Sequence, residues 1–232
     1  MRHQLKETGD ISLNKTLKIS LFISVVVLSS CSMLNNNRIA MGYTEAFRAI
    51  DQAIFGFDDY EITRAMVDNI PYASSLLKIG KGPRGLMILE SVNGNEETWV
   101  SADGIYIVIR SGRIIQTRGF QNNLTSFISQ VDLRTLLQEE SKNYIFYYSY
   151  DKPRLNNLQI RSSITRKENI KISILGKEKN LILYEENLSN SYLGWNVTNK
   201  FWVDEDNFVW RSEQFISPKL PKVIIEVTKK PS

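Results

Sequence analysis

The sequence predicts a mainly β protein: a single antiparallel β-barrel, or a barrel-like sandwich, with one or two short N-terminal helices. Three observations point there. Short alternating or apolar runs follow one another from Pro71 to the C-terminus. Turn dipeptides separate them, among them Asn93-Gly94, Asp103-Gly104 and Ser111-Gly112, and such pairs between alternating runs are the strongest short-range hairpin signal in a sequence. The links are short, with no linker long enough to mark a domain boundary and no repeat, which suits one closing meander. At 42% hydrophobic and 23% charged residues, the 232-residue chain has the composition of a folded protein.

The helices come first. From Tyr43 to Phe55 the apolar residues Phe47, Ile50, Ile54 and Phe55 fall on one side, and Glu45, Arg48, Asp51 and Gln52 fall elsewhere. Gly56 suits the stop. Asp58 or Asp59 is placed to cap a second helix from Tyr60 to about Asp68, ahead of Pro71. After Pro71 the period changes to that of strands. "SLLKI" leads into the loop "GKGPRG", and then come "LMILESV", "ETWVS", "IYIVIR" and "RIIQTR". Val131 to Gln138 reads as a short helix. Strands resume with "NYIFYYSY", "LQIRSSITR", "IKISIL", "NLILYEEN", "GWNVTNKFWV", "FVWRSEQFI" and "KVIIEVT", about a dozen in all.

Ahead of the fold lies a targeting segment. Lys15 and Lys18 precede the apolar run Ile19 to Leu28, and Ser29, Ser30 and Cys31 follow. A positive stretch, a short apolar core and small residues before a cut make a secretory signal. The run is shorter than the roughly 20 residues that span a bilayer as a helix. "LSSC", Leu28 to Cys31, resembles a bacterial lipobox, in which the chain is cut before a Cys that then takes lipid. This divides the chain into a signal over 1–30, a lipidated tether over 31–41 and one mainly-β domain over 42–232. Acyl chains on Cys31 anchor such a protein in one leaflet, and Ser32 in place of Asp after the Cys favours the outer membrane by resemblance to bacterial lipoproteins.

The chain holds one His and one Cys. They are His3 and Cys31, so the mature chain has no His and a Cys committed to lipid. Ser-His and Cys-His hydrolases, His-ligated metal sites and disulfide scaffolds then lack their components. No cofactor and no metal is expected, and the reading is non-enzymatic. Half of the net charge of +4 comes from the leader, which carries Arg2, Lys6, Lys15 and Lys18 against Glu7 and Asp10. Nothing in the balance argues for nucleic acid.

Several patterns suggest chemistry, and each has a plainer reading beside it. Gly80, Gly82 and Gly85 match G-x-G-x-x-G, but "LMILESV" after them reads as a strand rather than the helix a dinucleotide needs. Asp204, Glu205 and Asp206 resemble a calcium loop, but Phe208 and Val209 stand where an oxygen ligand and Gly belong, so a hairpin turn is expected. Glu96-Glu97, Glu139-Glu140 and Glu185-Glu186 would suit a glycosidase only at a fixed separation across a sugar. Lys152 to Asn180 holds eight basic residues against Glu168 and Glu178, and Leu181 to Asp206 is acidic. Either the two stretches pair across strands, or Arg161, Arg166, Lys167 and Lys171 present a surface to an anionic glycan or head group. Tyr144, Phe146, Tyr148 and Tyr150 alternate along one strand face, and Trp195, Trp202 and Trp210 follow in later strands. Such stripes are core packing, or a sugar-stacking platform built from Tyr144, Tyr148, Trp195 and Trp202.

Taken in order, the lipobox, "AIFG", "IPYASSLLKIG", "ETWVSADG", "GRIIQTRGFQNNL" and "NKFWVDEDNFVWRSEQFISPKLPKVIIEVTKKP" resemble the YjbF/GfcB family of bacterial lipoproteins, the group 4 capsule polysaccharide lipoproteins. The likeness runs from Cys31 nearly to the end and is weakest from about Gln130 to Asn190. It implies a barrel-like fold, an outer-membrane, periplasm-facing lipoprotein and a place in capsule or exopolysaccharide production. It implies no catalytic residue. The expected function is assistance to polysaccharide assembly or export, by binding other export proteins or an anionic glycan, with the membrane engaged through the lipid. Two rivals stand beside it: a barrel-type carrier or chaperone of an acyl chain or lipid, and a carboxylate-based glycan hydrolase. A large apolar cavity would favour the carrier, and a pocket with two convergent acids the hydrolase. A filled core with an exposed polar-aromatic groove would favour the binder.

Overall fold

In the computed structural model the described residues are 61–139 and 143–231, all within the unit formed by residues 57–232. Cys31, the signal, the tether and the helix expected over Tyr43–Phe55 lie outside them. Twelve strands run antiparallel in one sheet: β1 Ser74–Ile79, β2 Arg84–Asn93, β3 Glu96–Ser101, β4 Tyr106–Arg110, β5 Arg113–Arg118, β6 Leu124–Ile128, β7 Asn143–Tyr150, β8 Leu155–Ile174, β9 Lys177–Asn190, β10 Trp195–Val203, β11 Val209–Gln214 and β12 Val223–Lys229. Their order is β5-β4-β3-β2-β1-β12-β11-β10-β9-β8-β7-β6. The first strand thus pairs with the last, and the sheet curls into a nearly closed barrel whose seam lies between β5 and β6. At the seam the Leu124 N–H donates to Thr117 Oγ1 at 2.9 Å in place of a backbone ladder.

The expected mainly-β barrel is what forms, with two short helices among the described residues. Helix α1, Arg64–Asp68, is capped by Thr63, whose hydroxyl accepts from the Met66 N–H. It therefore starts later than an Asp58 or Asp59 cap would place it. Helix α2, Leu133–Gln138, is capped by Asp132 and buries Leu133, Leu136 and Leu137. These three share a core cluster with Ile115 of β5 and with Leu124 and Phe127 of β6, the strands that flank the seam. The Gly-rich loop is a strand-to-strand turn, with Gly80 at φ +55° and the Gly82 N–H donating to Ile79 O.

Two strand assignments needed the structure. "LQIRSSITR" and "IKISIL" are one strand, β8, interrupted by an irregularity between Arg166 and Asn169. The polar run there reads as a turn in sequence, yet it only bulges. Strand β6 escaped the sequence because its register shifts between Leu124 and Ser126. The shift buries Leu124 and Phe127, three apart, and so breaks the period of two that marks a strand.

The interior is filled by two clusters. One gathers Phe127, Phe146, Tyr148, Tyr150, Leu188, Trp195 and Phe201 with α2. The other gathers Leu77, Met87, Trp99, Ile107, Ile114 and Ile225. At one barrel end the loops lock together: Tyr150 Oη donates to Ile216 O at 2.9 Å, Asn122 Nδ2 to Lys152 O at 2.7 Å, and Ser217 Oγ bonds Asn122 Oδ1. On the outside, the far half of the β8–β9 hairpin covers its own patch, where Ile170 and Ile172 pack with Leu181, Leu183, Trp202 and Trp210. Arg64 holds the hairpin tip by donating to the carbonyls of Ile174, Leu175 and Thr228 at 2.6, 3.2 and 3.1 Å.

Candidate functional site

Strand alternation decides what the outer face of β7 to β10 presents. Residues i and i+2 share a face, so burying Phe146, Ile160, Leu188 and Trp195 turns their neighbours outward. Register then lines these up in rows. Ile145, Arg161, Ser189 and Asn196 stand side by side across the four strands. Ser163, Asn187 and Thr198 form the next row, and Tyr147 stands opposite Gln159. The result is a face of amides and hydroxyls around one guanidinium.

Two shallow grooves cross this face, of about 540 and 640 Å³, and share Arg161, Ser189 and Asn196. The first adds Gln159, Asn190, Tyr192 and Trp195. The second adds Asn143, Tyr144, Ser163 and Asn187. No acidic side chain lines either. Internal hydrogen bonds set the amides in place: Thr198 Oγ1 donates to Asn187 Oδ1 at 2.8 Å, and Asn190 bridges Gln159 O and the Leu193 N–H at 2.7 Å each. Tyr192, at the tip of the β9–β10 turn, is 89% exposed. Amides, hydroxyls, one guanidinium and an open aromatic ring form an arrangement suited to bonding hydroxyls and an acidic group while stacking on a ring face.

The four basic side chains singled out from the sequence do not act together. Arg161 is exposed, and no acidic side chain pairs with it among the described residues. Lys167 lies 3.5 Å from Glu185, which Lys200 also reaches at 3.1 Å, and Lys171 pairs with Glu178. Arg166 reaches Asn169 Oδ1 at 3.5 Å. The hydrogen bond from Lys200 foremost, with Lys167 behind it, holds the Glu185 carboxyl below the usual range. Cross-strand pairing thus absorbs Lys167 and Lys171, and Arg161 stands clear.

The four aromatics do not form one surface: alternation puts Tyr144 and Tyr148 on the same side of β7, packed with the interior cluster that also holds Trp195, and Trp202 on the outer side. Tyr144 lines the second groove, and its hydrogen bond to Glu139 pushes the phenol up to about 12. Tyr148 points inward beside Arg113, where burial raises its pKa. Trp195 meets Tyr148 edge to face at 6.4 Å and shows only a margin to the first groove. Trp202 lies on the outer side beneath the Arg211 guanidinium, 5.0 Å from the ring centroid. No common platform assembles from them. The aromatic that does stand open, Tyr192, had a sequence signal of its own: a large ring in the turn Asn190 to Gly194, where no core can reach it.

Of the adjacent carboxylate pairs, Glu140 lies outside the described residues, and the other two pairs diverge. Glu96 faces out and pairs with Arg110, whereas Glu97 faces in and accepts from Trp99 Nε1 at 3.0 Å. Glu185 is outward and ion-paired, and Glu186 is buried against Arg113. The acidic knot is the expected turn, with Asp204 Oδ1 accepting from the N–H groups of Asp206 and Phe208.

Comparison with known proteins agrees with this architecture. The family described as group 4 capsule polysaccharide lipoprotein gfcB, YjbF matches residues 47–228. The chain is similar to the uncharacterized lipoprotein YjbF of Escherichia coli K12, 19% identical over 204 residues that cover 85% of this chain and 90% of that one. It is similar to the uncharacterized lipoprotein GfcB of the same organism, 24% identical over 104 residues, 45% of each chain. The crystal structure of the hypothetical lipoprotein YmcC from E. coli K12 superposes with a TM-score of 0.67 at 20% identity, over 81% of this chain and 95% of that one. That likeness shows a shared fold.

Proposed function

The chain belongs to the family of group 4 capsule polysaccharide lipoproteins, and from that premise we propose that it serves capsule assembly or export as a non-catalytic binder of the polysaccharide. The observation that carries this reading is the pair of grooves meeting at Arg161. They offer hydroxyl-matching amides, a guanidinium without an acidic partner among the described residues and the exposed ring of Tyr192. A largely filled interior supports binding on the outside over carriage of a whole lipid within. Diverging carboxylates give no support to a hydrolase, which needs two acids across one sugar. In this reading Cys31 carries the lipid, the protein faces the periplasm from the outer membrane, and the groove holds a segment of anionic glycan near the export machinery.

Gene deletion followed by measurement of surface polysaccharide tests the role. The deletion is expected to lower surface polymer. Wild-type protein should restore it, and a stably produced chain carrying Arg161→Gln and Tyr192→Ala should not. Full restoration by that variant would remove the groove from the account.

A further inference from the structure

The barrel end opposite the locked loops is open, and a cavity of about 300 Å³ enters the interior there. Three turns rim it, contributing Gly94 and Asn95, Ser111 and Gly112, and Asn207 and Phe208, with Arg134 of α2 beside them. The walls are Trp99, Ile109, Val209, Ile225 and Val227. Glu97 is the one carboxylate among the lining residues. We propose that this cavity receives the end of an alkyl chain that carries an uncharged, hydroxyl-bearing head group, with Glu97 accepting a hydrogen bond from the head.

The wall composition argues for the tail. Four aliphatic side chains and a buried indole make most of the walls, with Ser212 and Glu97 as the polar groups among them, and such walls suit a chain better than a sugar ring. The volume lies at the lower limit of small-molecule sites, about 300 Å³, so it takes the end of a chain rather than a whole lipid. None of the locked loops at the other end lines the cavity, and their hydrogen bonds oppose a passage through that end.

The position of Glu97 argues for the head. It lies two residues from Trp99 on the same inward face of β3, and Trp99 Nε1 is its hydrogen-bond donor among the described residues. A carboxylate accepts and does not donate when ionised, so it selects a hydroxyl and repels an anionic head. Asn95, Asn207 and Ser111 at the rim add neutral partners for further hydroxyls, and the Arg134 guanidinium beside them is a further donor to a hydroxyl, so the comparison with octanoate weighs Glu97 against Arg134 directly. This site is separate from the Arg161 grooves and stands or falls independently of them.

The test uses the full chain carrying Cys31→Ser, which removes the acyl attachment point, purified without detergent. It is titrated at neutral pH with octyl β-glucoside below its micelle concentration, with glucose and octanoate as comparison probes and tryptophan fluorescence as the readout. Octyl β-glucoside should bind saturably and glucose should not. Octanoate should bind weaker by about tenfold or more, because its carboxylate meets Glu97. Val227→Phe fills the pocket and should weaken octyl β-glucoside about tenfold or more. Glu97→Gln should abolish the discrimination against octanoate while leaving the fold intact. Arg161→Gln should change none of these results. A non-saturating response, binding of glucose as tight as that of octyl β-glucoside, or equal affinity for octanoate and octyl β-glucoside in the parent chain would overturn the proposal. So would unchanged affinity in a folded Val227→Phe chain. Should that variant not fold, the comparison of parent and Glu97→Gln decides.

Discussion

Arg113 and Glu186 form a two-pronged ion pair inside the barrel, with Nη1 2.9 Å from Oε2 and Nη2 2.7 Å from Oε1. Both are buried, at 2% and 0% exposure. Ser162 Oγ and Asn199 Nδ2 complete the acceptor shell of Glu186 at 2.6 and 3.1 Å. The rings of Phe146, Phe127 and Phe201 surround the guanidinium at 4.9, 5.4 and 5.5 Å. The pair therefore ties β5, which borders the seam, to β9 on the far side of the interior. Burial opposes the charge on Arg113, and Glu186 beside it more than offsets that, so its pKa is raised.

Removing one partner leaves the other charge buried alone. Glu186→Ala should cost about 3–5 kcal/mol in urea unfolding. Replacing both, with Arg113→Met and Glu186→Leu, should cost far less, because Arg113 Nε has no hydrogen-bond partner among the described residues even in the native pair and apolar pairs of similar volume are often neutral or better. A double variant as unstable as the single one would show that the pair contributes net stability.

Glu97 is pushed up by burial, with the Trp99 hydrogen bond pulling the other way. A carboxyl whose folded pKa is raised binds its proton more tightly in the folded state. Its stabilisation is complete below the unfolded value of about 4.3 and is lost as pH rises through the folded value. Ionised Glu97 thus weakens the fold at neutral pH. Glu97→Gln should raise Tm at pH 7.5, and the gain should shrink as pH falls towards 4. A gain that grows on acidification would contradict the assignment.

Ser111 and Gly112 make the β4–β5 turn at φ +49° and +89°. A side chain on Gly112 would meet that of Val209 as well as an unfavourable backbone. Gly112→Ala should cost about 2 kcal/mol or more. Gly94→Ala, at φ +62° with open space around it, should cost only about 1 kcal/mol. Equal losses by thermal unfolding would mean that contact with Val209 adds nothing.

Attachment of lipid at Cys31 is proposed from the "LSSC" motif, Leu28 to Cys31. Cells fed labelled palmitate should label the parent chain and not Cys31→Ser. Equal labelling of both would place the lipid elsewhere.

The barrel was legible because its signals are local. Turn glycines sit between alternating runs, and Phe146, Tyr148 and Tyr150 share the inward face that their spacing requires. What was not legible depends on register or on distance along the chain. Nothing local separates Arg161 from Lys167 and Lys171 until β9 is laid beside β8 and Glu185 and Glu178 find the lysines. Glu186 reads as an exposed acid, since its partner Arg113 is 73 positions away. The Arg161 grooves likewise exist only after four strands are aligned, although each residue lining them is ordinary alone.

The claim that the Arg161 face binds the capsular polymer is tested most directly by titrating purified protein with the producing cell's own polysaccharide at low and moderate salt. Arg161→Gln should weaken binding by about ten- to a hundredfold, the value of about one charge-assisted hydrogen bond at 1.5–3 kcal/mol, and should reduce its salt dependence. Lys171→Gln, which removes a residue already paired with Glu178, should leave affinity unchanged. Unchanged affinity in Arg161→Gln, or an equal loss in both variants, would contradict the account.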